Sequence, residues 1–584
     1  MKMKMILSMF SALVLAGAVG MAAEEPAAGA ATAGVQLKDY WVFAMTNLAS
    51  PPLLEKILAL MQRAHRAGYT GIFLCDSKVE KFQLQDKSYA RKWRQFRQAC
   101  TDEGMQLVVP VCSMGYNAEF LAGDPNLAEG MPVRGAEFVV RDGKLLPSDT
   151  TTKLVNGSLA QWKGDVPRGW TVDKPGVVSF RDEQVGWEGK PALRQEHGRA
   201  KSGPVRLSQR IAVEPWHYYH LSVMAKTEDC TSGDFRVMAI SAGAGPGRVL
   251  NWQPPPIRET MDWTRLDVTF CSLDQSAVTI YCGTWGTKAG TVWWSDLRIE
   301  PAGLVNVIRR PSLPLSLTSA DGQTTYEEGR DFSEVNDPKL GHDPHPGYFT
   351  NWHEPPVVTI PAGSRLKEGQ TVAASYHIST SVGKPGQINC CLSEPEVYER
   401  VEKVIGWVHE NVQPDVYMMG YDEIRHCGWD DSCARRHLTC GQILAENVRR
   451  CSAIIRQVAP DSPIATWNDM FDPFHLAFKE GVMYLAKGDG PWYGSWEGLP
   501  TSVIVLNWRQ NNLDSLKFFA GRGQPQILAG YYDQDPARIV EWLKMAAQVK
   551  GVRGVMYTTW RNDYSKLEVF IKYARQFSEG QEAK

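Results

Sequence analysis

The sequence predicts an α/β fold, a (β/α)8 TIM barrel interrupted after its third strand by an antiparallel, jelly-roll-like β-sandwich. Three observations predict it. Short apolar runs alternate with helical patterns over residues 36–125. Short strands of alternating polarity, separated by Gly, Pro and Asp turns, replace that pattern over 152–302. The βα rhythm then resumes over 396–580. Three strands before the interruption and five after it make the eight of a closed parallel barrel.

Residues 1–23 read as a secretory signal peptide: two Lys, an apolar run from Met5 to about Val19, then small residues before Glu24. The run is short for a membrane anchor and has no basic flank on its far side. The expectation is therefore an exported chain, periplasmic or extracellular, with no membrane insertion. In the first barrel segment, YWVFAM, YTGIFLCD and MQLVVPVC read as strands. PPLLEKILALMQRAHRAG and SYARKWRQFRQACTDEG read as the helices between them, closed by Gly68 and Gly104.

The inserted sandwich is read from VRLSQRIAV, YYHLSVMAKT, DFRVMAIS, TRLDVTFC, AVTIYCG and TVWWSDLRIE. Its opening LVNGSLAQW and closing TVWWSDLRIE resemble the ends of carbohydrate-binding modules. It holds nine Trp: Trp162, Trp170, Trp187, Trp216, Trp252, Trp263, Trp285, Trp293 and Trp294. Structural packing is the leading role for them, with sugar stacking as the alternative. Residues 303–395, rich in Pro, Gly and Asp, read as a connector with two short strands, PPVVTIPAG and QTVAASYHIS. The second barrel segment supplies strands DVYMMGYDE, PIATWNDM, TSVIVLNW, QILAGYYD and GVMYTTW.

Sixty-three Lys and Arg balance 65 Asp and Glu, which leaves no basic footprint for a phosphate backbone and excludes nucleic acid as the expected partner. Cys427, Cys433, Cys440 and Cys451 cluster with His426 and His437, but the spacing matches no common zinc pattern. Disulfides or buried free thiols are favoured over a metal there, and the expectation is an activity without metal or cofactor. Neither the disulfide pairing nor the oligomeric state is legible in the sequence.

A barrel of this class carries its chemistry at the C-terminal ends of its strands. Strand four ends in Gly420, Tyr421, Asp422 and Glu423, and strand five in Trp467, Asn468 and Asp469. Strand six ends in Asn507 and Trp508, strand seven in Tyr531, Tyr532 and Asp533, and strand eight in Trp560, Arg561, Asn562 and Asp563. Carboxylates ringed by aromatic walls suit glycosidic cleavage. The reaction needs an acid for the leaving oxygen, negative charge near an oxocarbenium-like state, and exclusion of water. The expected partner is a glycan or glycoconjugate.

These strand ends resemble family 20 glycoside hydrolases, the β-N-acetylhexosaminidases, whose Gly-Gly-Asp-Glu step corresponds to Gly420-Tyr421-Asp422-Glu423. Trp467 with Asp469, Trp508, the Tyr531-Tyr532-Asp533 step and Trp560 extend the likeness over about residues 400–580. The resemblance implies substrate-assisted retention, in which the sugar's 2-acetamido oxygen attacks its own anomeric carbon. It casts Glu423 as acid and base, raised by apolar walls and an anionic neighbour. Asp422 becomes the acceptor of the acetamido N–H, Tyr531 the holder of the acetamido oxygen, and Trp467, Trp508 and Trp560 the box around the sugar. Asp469 and Asp533 complete the substrate-binding set.

Three features depart from the family. The first strand has no terminal Arg, Asn562 replaces a Glu, and Ser113-Met114-Gly115 replaces a Pro-Gly-His step. Asp563, Arg561 or His377 are the candidates to make up those contacts. Two alternatives stand beside this reading. One is a non-catalytic glycan-binding protein; the other is a glycosidase with two protein carboxylates, Glu423 as acid and Asp469 or Asp533 as nucleophile. The sugar, the linkage and exo or endo action are not legible.

Overall fold

Eight parallel strands close into a barrel in chain order: β1 Asp39–Met45, β2 Gly71–Cys75, β3 Gln106–Pro110, β4 Val416–Met419, β5 Ile464–Trp467, β6 Ile504–Asn507, β7 Gln526–Leu528 and β8 Val552–Tyr557. β1 pairs with β8, from Asp39 opposite Gly554 to Val42 opposite Tyr557, so no edge is left open. This computed structural model describes residues 36–149, 151–198, 204–231, 235–241, 248–253, 259–284, 287–384 and 386–580. The signal peptide read at 1–23 lies outside them.

The strands are short and buried on both faces, as parallel strands sheathed by helices must be. On β1, Trp41 and Phe43 point into the barrel, where they meet Phe73, Val108, Met418, Trp467, Leu506 and Met556. The alternate residues Tyr40, Val42 and Ala44 point outward into the helix layer. That layer contains α1 Pro51–Ala67, α2 Lys87–Asp102, α3 Pro395–Asn411, α4 Cys440–Val458, α5 Leu513–Gly521, α6 Arg538–Ala546 and α7 Leu567–Ser578. α1 begins with Pro at its first turn, buries Leu54, Ile57, Met61 and Ala64 along one stripe, and stops where Gly68 turns left-handed at φ 102°. α4 starts from a capping box, in which Thr439 accepts from the Gln442 N–H and the Gln442 side chain accepts from Thr439 N. β5 and β6 are joined through 3₁₀ turns, Asp469–Phe471 and Ser495–Gly498, where the other crossovers use helices.

Between β3 and β4 lie antiparallel sheets. One five-stranded sheet orders residues 261–271, 218–231, 289–301, 190–197 and 179–187, and a second orders 249–253, 235–241, 277–284, 205–212 and 171–172. Leu221, Val223, Val268, Phe270 and Trp294 of the first share a core with Leu207, Ile211, Val278, Ile280 and Cys282 of the second.

Residues 303–395 are more than the connector the sequence suggested. Residues 316–319, 325–326, 358–359 and 371–378 join 131–141 and 144–147 in a third antiparallel sheet of six strands. The strand Met131–Arg141 was missed because Gly135, at φ 62°, interrupts its alternation. Its partner, Thr371–Ile378, stands far downstream and pairs with a register shift of its own. Local pattern carries no trace of such a pairing.

Four of the eight described insert Trp are core. Trp170, Trp252, Trp293 and Trp294 are buried, and the Trp294 indole donates to Gln195 Oε1 at 2.9 Å. Trp187 and Trp263 are half-buried and pair with each other, ring centroids 6.0 Å apart. Trp285 lies outside the described residues.

Candidate active site

Eight strand ends meet at one mouth, and the barrel's inner aromatic cluster forms its floor. Trp467 stacks on Phe73 at 5.8 Å, Trp560 packs on Phe43 at 4.7 Å, and the two indoles stand 6.4 Å apart. Trp508 and Tyr531 continue the wall, centroids 6.3 Å apart. The Trp560 indole also hydrogen-bonds the Tyr531 hydroxyl, whose proton is held chiefly by burial. Trp467, Trp508, Tyr531 and Trp560 therefore come together as the sequence placed them.

The carboxylates sit on this wall. Asp469 is fully buried with both oxygens occupied: Oδ2 accepts the Glu423 backbone N–H at 2.8 Å, and Oδ1 accepts the Trp508 indole N–H at 3.1 Å. Burial pushes Asp469 up to about 7 against those two donors. Glu423 adopts a left-handed φ of 48°, unusual for a side chain with a Cβ, and the Asp469 hydrogen bond helps hold it there. Asp422 is pushed well above the usual carboxylate range, first by burial and then by the charges of Asp469 and Glu423. It also faces the end of β2, since burial and the Asp422 charge raise the Cys75 thiol to about 12.

Around Glu423 the walls are polar, which corrects the apolar surroundings the resemblance implied. Its Oε2 accepts from the Tyr116 hydroxyl at 2.6 Å and from Gln387 Nε2 at 3.0 Å, and Gln387 Nε2 also donates to Tyr116 at 2.7 Å. Arg425 Nη2 stands 3.5 Å away. Among the described residues no hydrogen bond reaches Oε1, and the side chain is one-third exposed.

Tyr116, Gln387 and Arg425 are the neighbours of Glu423 that sequence reading missed. Arg425 lies two residues past Glu423 and Tyr116 directly follows the Ser113-Met114-Gly115 step, so both were within reach. Gln387, in the segment leading to α3, carries no sequence signal. Arg425 is itself tied down: it donates to the Val382 carbonyl at 2.9 Å and lies over Tyr484 and Trp252, the latter a sandwich residue. Gly115 has a role that the missing Pro-Gly-His motif hid. A Cβ there would overlap the Asp422 carbonyl oxygen, so only glycine lets β3's loop pass the Asp422–Glu423 turn.

The remaining expected residues have other hydrogen-bond partners. Asp533 accepts from Thr559 Oγ1 at 3.2 Å, and no described hydrogen bond or ion pair joins it to Asp422, Glu423 or Asp469. Arg561, Asn562 and Asp563 are exposed, with Asn562 accepting from Tyr564 at 3.0 Å. His377 does not substitute for the missing Arg. It is buried on strand 371–378 of the third sheet, 3.6 Å from Asp431. All twelve cysteines are free thiols. No described helix is long and apolar enough to cross a membrane.

No protein-family model and no curated protein matches the chain. Among solved structures, a rhamnosidase from Novosphingobium sp. PP1Y is similar over 94% of this chain and 59% of its own, at 10% identity and a TM-score of 0.31. The chain thus spans under two thirds of that enzyme. A CBM4 structure matches 26% of this chain and 99% of its own at 16% identity and a TM-score of 0.21. The CBM22-1 xylan-binding domain of a Paenibacillus barcinonensis protein matches 25% and 90% at 15% identity and a TM-score of 0.20. These neighbours are a glycosidase and carbohydrate-binding modules, and none is a family 20 enzyme. Likeness this remote leaves function to the side chains of the site.

Proposed function

We propose that the chain is an exported glycoside hydrolase, a TIM barrel interrupted by a jelly-roll-like sandwich, that cleaves 2-acetamido sugars by substrate-assisted retention. The observation that carries this reading is the seat of Glu423. One carboxylate oxygen is fixed by Tyr116 and Gln387, the other is outside that network, and the backbone is pinned by Asp469 beside an indole wall.

In this reading Glu423 protonates the leaving oxygen while the acetamido oxygen attacks the anomeric carbon. Glu423 then takes a proton from the water that opens the oxazolinium ring. Asp422 accepts the acetamido N–H. Burial and two neighbouring charges oppose its ionisation, so the cationic oxazolinium stabilises it more than the neutral sugar does. Such a difference between transition state and ground state is what lowers a barrier.

Of the two nucleophiles the two-carboxylate alternative names, Asp469 is fully buried with each oxygen accepting an N–H, which disfavours it and leaves Asp533 as that alternative's nucleophile. The test is a panel of 4-nitrophenyl glycosides, N-acetylhexosaminides and rhamnosides included, with wild type and Glu423→Gln. Release from the N-acetylhexosaminides that Glu423→Gln abolishes is expected. Cleavage confined to sugars lacking the acetamido group, or full activity in the variant, overturns the reading.

A further inference from the structure

A second concentration of reactive side chains lies where the loop that follows Glu423 meets two segments from earlier in the chain. Glu129, Cys391 and Cys433 are buried and bring a carboxylate oxygen and two sulfurs within 4.8 Å of one another. The sulfurs of Cys391 and Cys433 stand 3.6 Å apart, and Cys433 Sγ is 3.5 Å from Glu129 Oε2. A tetrahedral zinc ion, with sulfur at about 2.3 Å and oxygen at about 2.0 Å, sets sulfur pairs about 3.8 Å and sulfur–oxygen pairs about 3.5 Å apart. Both observed separations are close to edges of that tetrahedron, whereas a disulfide would bring the sulfurs to about 2.05 Å.

The surroundings are arranged for such an ion. Glu129 Oε1 accepts the backbone N–H groups of Trp429 at 3.2 Å and Asp430 at 3.3 Å, which leaves Oε2 toward the thiols. Cys440 and Cys451, which belonged to the cluster legible in the sequence, are engaged elsewhere. Cys440 donates to the carbonyls of Cys427 and Lys487, and Cys451 to Asn447.

We propose that Glu129, Cys391 and Cys433 bind a zinc ion that staples the loop after β4 to the segments on either side of it. The staple spans the catalytic turn. Asp422 and Glu423 stand on the same loop as Cys433, while Gln387, which holds Glu423, and Asn389, which accepts the N–H groups of Arg425 and His426, precede Cys391. The ion therefore sets Gln387 against Glu423.

The test uses the full chain, purified with zinc supplied and then dialysed. About one zinc per chain by elemental analysis is expected, lost in Cys391→Ser and Glu129→Gln but kept in Cys282→Ala, a buried cysteine of the sandwich. Cobalt exchange should give the thiolate charge-transfer and tetrahedral d–d bands, and a strong chelator should lower the melting temperature of wild type but not of Glu129→Gln. Should Cys391→Ser fail to fold, the cobalt spectrum of wild type decides alone. Metal-free wild type after zinc loading, or a Cys391–Cys433 disulfide in a non-reducing peptide map, overturns the site.

Discussion

Replacing Asp469 by Asn keeps the volume of a fully buried side chain and removes its charge. Two donors converge on this carboxylate, the Glu423 backbone N–H at 2.8 Å and the Trp508 indole at 3.1 Å. An amide has one oxygen to offer and presents N–H to the other donor. One charge-assisted bond is lost, worth about 1.5–3 kcal/mol, and a buried donor is left facing another. Glu423 holds a left-handed backbone that this bond helps to maintain, so the loss is expected to fall on the position of its carboxyl group. Converted at about 1.4 kcal/mol per decade, kcat on an N-acetylhexosaminide should drop about 10- to 150-fold. A second readout is independent of that size. Burial first, then the Asp469 charge, holds Asp422 above the usual carboxylate range; with the charge gone, Asp422 titrates lower and its limb of the pH–rate profile moves to lower pH. Steady-state rates across pH, with circular dichroism to establish the fold, measure both. A natively folded Asp469→Asn with kcat within about twofold of wild type and an unmoved limb would refute the positioning role.

Glu423→Gln should cost about 10²- to 10⁴-fold in kcat while a thiazoline mimic of the cyclised intermediate still binds, measured by calorimetry. Gly115→Ala forces a methyl group onto the Asp422 carbonyl, and is expected to lower activity and to destabilise the fold by about 1–3 kcal/mol in urea denaturation. Glu80 is buried, accepts the Ser113 N–H at 2.8 Å, and is raised by burial to about 7. A carboxyl raised on folding contributes stability that is present below its unfolded value, near 4.5, and lost as pH rises through 7. Glu80→Gln should accordingly melt higher than wild type at about pH 8, by at most about 3 kcal/mol, and no higher at about pH 4; the opposite order counts against a buried, neutral Glu80. Paired Trp187→Ala and Trp263→Ala changes should reduce retention on polysaccharide affinity gels and leave kcat on a small chromogenic substrate unchanged; unchanged retention assigns the pair to packing.

The sequence by itself determined the barrel strands, because each buried parallel strand is a short apolar run whose neighbour follows one helix later, and that pattern is local. It also determined the strand-end residues, since a closed parallel barrel gathers its C-terminal ends at one mouth. Trp467, Trp508, Tyr531 and Trp560 meet there, with Asp422, Glu423 and Asp469 beside them. Tertiary structure decided what surrounds each carboxylate. Asp469 has its roles as acceptor only because Glu423 N and Trp508 Nε1, on two other strands' ends, converge on it. Gln387 reaches Glu423 from a segment without pattern, and residues 303–395 became a sheet because Met131–Arg141 had edge groups to pair. His377 was set opposite Pro132 by that same pairing, and Cys391 and Cys433, 42 residues apart in sequence, meet with sulfurs 3.6 Å apart. Hydrophobic periodicity is written along the chain, so it survives in sequence. Hydrogen-bond partners and burial depend on distances between segments remote in sequence, and those distances exist only once the chain has folded.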